Sequence, residues 1–238
     1  MKIIFIRHAD PCKDSFSITS KGKEECFLLS KQLKEKGITK LYSGTSLRTS
    51  ETVTILSKEC GGIPVEQKEW LNEFKHYIKT GDGEKRLLWE MPTIFWCNDD
   101  MLSLNKCMES AMFESGSIKE AIETINGNLD SLLSMKGYER SGKIYLTQKG
   151  NYDAIVIVSH FATISIMLSH LLNISPLIML NSFWMAPTSV TTLVSEEIER
   201  GKVVFRLIGY NDVDHLSNRD DIKSYYGLQQ EVFEGEEK

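Results

Sequence analysis

The chain has 238 residues, of which 41% are hydrophobic and 26% charged, with a formal net charge of -5. This balance excludes a disordered or collagen-like chain, and the acidic excess makes a nucleic-acid surface a poor expectation. Five cysteines (12, 26, 60, 97 and 107) with no CxxC pair exclude a disulfide framework and a zinc knuckle.

Residues 2–6 form a β-branched and aromatic run, apolar on both faces as in a central parallel strand. It ends at Arg7-His8-Ala9-Asp10-Pro11, where proline stops sheet pairing. Thr19 opens a helical pattern through Cys26, Leu28, Leu29 and Leu33, closed by Gly37. Residues 38–43 read as a second strand. Gly44-Thr45-Ser46 then turns and caps a helix through Val53, Ile55 and Leu56 that stops at Gly61-Gly62. A weak third strand covers 63–67.

Residues 74–150 break this alternation and read as a mostly helical insertion, punctuated by Gly81-Asp82-Gly83, Pro92 and Asn98-Asp99-Asp100. Its clearest helix spans 118–135, with Ile118, Ala121, Ile122, Ile125, Leu129, Leu132 and Leu133 on one stripe. An insertion placed here could act as a lid over a pocket. Strand–helix alternation then returns: a strand over 154–158 ending at Ser159-His160, a helix over about 162–172, and two strands over 189–194 and 203–210. The acidic stretch 231–238 reads as a frayed tail.

Strands alternating with helices predict a three-layer α/β/α sandwich with a mostly parallel central sheet. We expect a single domain over 1–238 carrying the insertion. The apolar run at the start is too short for a signal peptide. No stretch approaches the ~20 apolar residues of a membrane span. With free thiols, these features predict a soluble, cytoplasmic protein that contacts neither membrane nor nucleic acid.

Chemistry-bearing residues recur at the carboxyl ends of predicted strands, where open α/β sheets bind ligands. Arg7 and His8 follow the first strand, Arg48 lies in the helix after the second, and His160 follows a later one. Arginine forks match phosphate oxygens, and two helix N-termini aimed at the same place would add anion-binding amides. Singly, each residue has an ordinary reading as a surface or capped core group. Together they predict a pocket for a phosphoryl group.

The sequence resembles the histidine phosphatase superfamily. The resemblance rests on Ile6-Arg7-His8-Ala9, on Ser17-Ile18-Thr19-Ser20-Lys21-Gly22, on residues 41–52 from Leu41-Tyr42-Ser43 through Arg48 to Thr52, on Leu71-Asn72-Glu73-Phe74, on Val156-Ile157-Val158-Ser159-His160 and on Asp214-His215-Leu216. It implies that His8 is a nucleophile that accepts a phosphoryl group. By the same resemblance Arg7, Arg48 and His160 bind the phosphate, Glu73 exchanges a proton with the leaving group and water, and His160 joins the catalytic set. Neither a metal nor a cofactor is implied. A solvated loop carboxylate is the alternative reading of Glu73.

The implied function is hydrolysis of a small phosphorylated metabolite through a phosphohistidine. A phosphoglycerate mutase is the first alternative, and a non-catalytic module that binds phospho-ligands or phosphoproteins is the second. Where mutases carry Arg-His-Gly-Glu-Ser-x-Trp-Asn, this chain has Arg7-His8-Ala9-Asp10-Pro11-Cys12-Lys13-Asp14. Asp10 and Asp14 are expected to repel a second phosphate, which disfavours the mutase. The cysteines, His76 and His170 match nothing in the family pattern and read as core or surface.

Overall fold

The computed structural model describes residues 1–79, 85–110, 113 and 117–228. Gly81-Asp82-Gly83, Met112 and the tail 231–238 lie outside the described residues. In chain order the elements are β1 (Lys2–Arg7), α1 (Ser20–Leu33), β2 (Ile38–Ser43), α2 (Leu47–Glu59), β3 (Val65–Gln67), β4 (Tyr77–Lys79), β5 (Lys85–Leu87), α3 (Asp99–Leu102), α4 (Leu104–Met108) and α5 (Ile118–Ser134). They continue with β6 (Glu139–Ser141), β7 (Ile144–Leu146), β8 (Ala154–Ser159), α6 (Phe161–Leu172), α7 (Pro176–Asn181), β9 (Val190–Glu199) and β10 (Lys202–Asp212).

The main sheet has eight strands in the order β3-β2-β8-β1-β9-β10-β7-β6. β3, β2, β8 and β1 run parallel. The other half is antiparallel: β9 pairs with β1 and β10, and β7 joins β10 to β6. This half is larger than strand–helix alternation predicts. β9 and β10 continue well past the expected bounds as one long hairpin, turning at Gly201, whose φ of 78° suits glycine.

Side chains of β1 alternate between two cores, as the period of a strand requires. Ile3 and Phe5 join a cluster with Leu129, Leu133, Ile164 and Leu168 from α5 and α6. Ile4 and Ile6 face Cys26, Leu29, Val53 and Leu56 from α1 and α2. Helices therefore cover both faces, and the three-layer expectation holds.

The insertion is less helical than predicted. It contains a β4–β5 hairpin, the short helices α3 and α4, and α5. It ends in the β6–β7 hairpin, which pairs with β10 and extends the main sheet. Such three-residue strands are too short to show an alternation in sequence. α5 matches its predicted stripe: Ile118, Ile122, Ile125, Leu129, Leu132 and Leu133 are all buried. Among the described residues no helix is long and apolar enough to cross a membrane.

Candidate active site

Strand register sets the site. β1 pairs in parallel with β8 so that Arg7 lies opposite Ser159. The next residues, His8 and His160, are therefore level, and the His8 N–H donates to the Ser159 carbonyl at 2.9 Å. β2 flanks β8 with Ser43 opposite Val158, and the Gly44 N–H donates to the Val158 carbonyl at 3.2 Å. Three strand ends thus deliver their following residues to one place.

The turn after β2 carries α2. Ser46 caps this helix, and its Oγ lies 3.0 Å from His160 Nε2. His160 is itself the residue preceding α6. The two helix N-termini meet as predicted. Asn72 locks the turn: its Oδ1 accepts from the N–H groups of Thr45 at 2.8 Å and Ser46 at 3.0 Å. A Cβ on Gly44 would come within 2.8 Å of that oxygen, so only glycine allows this approach. Asn72 also fixes the position of the adjacent Glu73.

The sequence-predicted residues come together. The His8 and His160 rings sit 4.9 Å apart, edge to face. One ligand atom each of His8, His160 and Glu73 falls within 4.8 Å of the others, with Glu73 Oε2 3.2 Å from His160 Nδ1. Arg7, His8, Arg48 and Glu73 line one cavity of about 460 Å³. The cavity also takes in Cys12, half-buried on its wall, and Lys13. Asp10 and Asp14 do not line it. The Asp10 carboxylate turns to α1, accepting from the Thr19 hydroxyl at 2.7 Å, so the expected repulsion from the first loop does not face the cavity.

The electrostatics favour a neutral nucleophile next to fixed cations. Burial, then the neighbouring His160 and Arg7, hold the His8 imidazole well below its ordinary pKa. His8 Nδ1 lies 2.8 Å from the Ala9 carbonyl, an acceptor, so Nδ1 carries the proton and Nε2 keeps its lone pair. Arg7 is buried, and burial brings its pKa down to about 10, which still leaves it charged at neutral pH. Its Nη1 donates to the carbonyls of Met185 and, at 3.0 Å, Tyr226. Burial pushes the Glu73 carboxyl up, but His160, Arg7 and Arg48 outweigh it and hold Glu73 below the usual range. The spacing of His8, Glu73 and His160 is one a metal ion could use, yet two guanidinium groups beside it oppose a second cation.

Several supporting residues escaped the sequence reading. The Thr52 hydroxyl accepts from the Ala9 N–H at 3.0 Å and so holds the loop after His8. Beneath the same loop Glu25 is fully buried, and its Oε2 accepts from the Asp10 N–H at 3.0 Å. Thr188 bridges this layer: its N–H donates to the Arg7 carbonyl at 3.1 Å, and its hydroxyl lies 3.1 Å from His215 Nε2. Ordinary polar residues on a helix face give no sequence signal for such roles; only the spacing of Thr52 in the Arg48 motif hinted at one.

Burial pushes the Glu25 carboxyl up to about 7, so the folded state holds a proton that the unfolded chain releases above its ordinary carboxyl pKa of 4.5. Its stabilising contribution is full below about pH 4.5 and is lost as pH rises through about 7. The loss amounts to roughly 3 kcal/mol. Glu25→Gln should therefore flatten this fall and be more stable than the parent at pH 8; thermal denaturation of both proteins between pH 5 and 8 checks it.

Residues 3–100 match the family model of the histidine phosphatase superfamily (branch 1). Over that stretch, which takes in Arg7, His8, Arg48 and Glu73, the chain is similar to this superfamily. No curated protein matches it in sequence. Solved structures share the fold at low identity. The phosphoserine phosphatase of Entamoeba histolytica, bound to phosphoserine, has 20% identity and a TM-score of 0.58, covering 90% of this chain and 98% of its own. A mycobacterial glucosyl-3-phosphoglycerate phosphatase bound to VO3 has 14% identity and a TM-score of 0.59, covering 88% and 98%. Bacillus stearothermophilus YhfR has 19% identity and a TM-score of 0.57, covering 90% and 98%. Phe161, directly after His160, stands on the wall of the cavity.

Proposed function

We propose that this chain is a histidine phosphatase that hydrolyses phosphomonoesters through a phosphohistidine on His8. One observation carries the reading. A buried histidine, with its Nδ1 proton committed to a carbonyl, faces a cavity shared with two arginines and a carboxylate. Nε2 attacks phosphorus as the bond to the leaving oxygen breaks, and the electron pair departs with that oxygen. Arg7 and Arg48 bind the equatorial oxygens and spread the charge of the transferring group, while His160, which meets Ser46 and Glu73 through its two ring nitrogens, positions the acid beside them. Glu73, protonated as the phosphate dianion draws on the nearby cations, gives its proton to the leaving oxygen. It then takes one from water, which attacks the phosphohistidine and returns the electron pair to Nε2. A binding module needs no Glu73 beside His160, so turnover is favoured over mere retention.

Activity should survive EDTA unchanged, since fixed guanidinium groups supply the charge that a metal would otherwise bring. Loss on chelation with recovery on adding a divalent ion would contradict this.

Lys13 and Lys75 also line the cavity and give the mutase reading a foothold, as they could receive a second phosphate. Incubation with 3-phosphoglycerate, with and without 2,3-bisphosphoglycerate, separates the two. Free phosphate should accumulate. Efficient formation of 2-phosphoglycerate with little phosphate release would assign the mutase instead.

A further inference from the structure

Past its cationic floor, the cavity is walled by rings from three separate segments. Trp89 follows β5, Phe161 opens α6, and Trp184 lies in the loop before β9; all three line the cavity. Each is half-buried. Trp89 and Phe161 meet edge to face, with centroids 6.4 Å apart, and both pack on the main core. Trp184 stacks on Tyr225 with centroids 6.1 Å apart and planes 9° from parallel. The rings are therefore fixed by protein on one side while another side borders the cavity. Fixed aromatic surface binds a flat ring without first ordering flexible side chains. About 460 Å³ is far more than a phosphate group fills, so the leaving group must meet these walls.

We propose that the site selects phosphomonoesters whose alcohol part carries an aromatic ring, seated against Trp89, Phe161 and Trp184. The assignment rests on the phosphatase reading above. The state of Glu73 agrees with it. His160 and the arginines hold this carboxyl ionised against the effect of burial, which makes it a weak proton donor in the free enzyme. A phenol ionises near ~10, whereas an alkanol resembles water, at roughly 15.7. When the P–O bond breaks, a phenoxide can leave with the electron pair and little help, while an alkoxide needs the proton. A carboxyl that is ionised until substrate arrives, next to ring-shaped walls, suits the aryl ester, whose departure leans least on that proton.

The test is kcat/KM for ethyl, benzyl and phenyl phosphate, read as phosphate release. Ethyl and benzyl phosphate both release alkanols, so their ratio reports the ring and not the leaving-group pKa. Benzyl phosphate should exceed ethyl phosphate by about tenfold or more. Trp89→Leu and Phe161→Leu should each bring that ratio toward one, mainly through KM. Glu73→Gln should slow benzyl phosphate more than phenyl phosphate. A wild-type ratio near one, with both esters turned over, overturns the aromatic assignment and leaves the phosphatase standing. A high ratio unmoved by either wall variant overturns the seating proposed. Absence of phosphate release from all three esters overturns both readings.

Discussion

Replacing His8 by alanine should abolish phosphate release while the fold persists. The loss should be on the order of 10⁶-fold, the scale seen when a nucleophile is removed from a covalent mechanism. His8 is buried, but the ties of its side chain are few: one bond to the neighbouring carbonyl and an edge contact with His160. The strand that carries it is held by two full ladders, to β8 and to β9. Circular dichroism should therefore match the parent. The pH profile is a second readout. A histidine of ordinary pKa would lose its lone pair as pH falls through 6.5. Burial and the adjacent cations hold His8 well below that value, so the acid limb it imposes on kcat/KM lies well below pH 6.5. Folded His8→Ala that still turns over would place the nucleophile elsewhere.

Arg48→Ala should lower kcat/KM by about 10²–10³-fold, the range for removing one fixed donor to a developing oxyanion. Arg48 is the cleaner arginine to remove. Arg7 is buried and bonded to two carbonyls, so its loss strands those groups as well as the phosphate. Arg48 stands on the first turn of α2, a helix whose cap and packing do not use its side chain. Stability should barely change. Arg48→Lys should recover only part of the rate, because an ammonium cannot span two phosphate oxygens as a fork does. Steady-state kinetics with one ester, beside melting curves, distinguishes a lost contact from a lost fold.

The central layers were legible because β1 and β8 are continuous apolar runs and because Thr19 and Ser46 are ordinary helix caps. The site was legible because its residues sit directly after strands, where register alone decides whether they meet. What the sequence hid was long-range pairing. The reach of the β9–β10 hairpin and the docking of β6–β7 on β10 depend on backbone bonds that any side chains permit. Asp10 was misread for a related reason: a carboxylate in the first loop looked like a neighbour of the phosphate, whereas Thr19 draws it onto the helix cap. Glu25 and Thr188, buried beneath the same loop, are residue types that elsewhere lie in solvent, and only their burial gives them away, whereas their neighbour His215 stood in a motif of the resemblance.

The Arg7 contact with Tyr226 spans 219 positions along the chain. The guanidinium also lies 5.6 Å from the centroid of the Tyr226 ring. One wall of the phosphate site is thus supplied by a segment far from the strand that bears the nucleophile. Contacts of such separation form late, because loop closure must precede them. The pairing of β1 with β9 spans almost as many positions, and Arg7 also donates to the Met185 carbonyl, so the closing of the sheet and the seating of this arginine both depend on the last third of the chain.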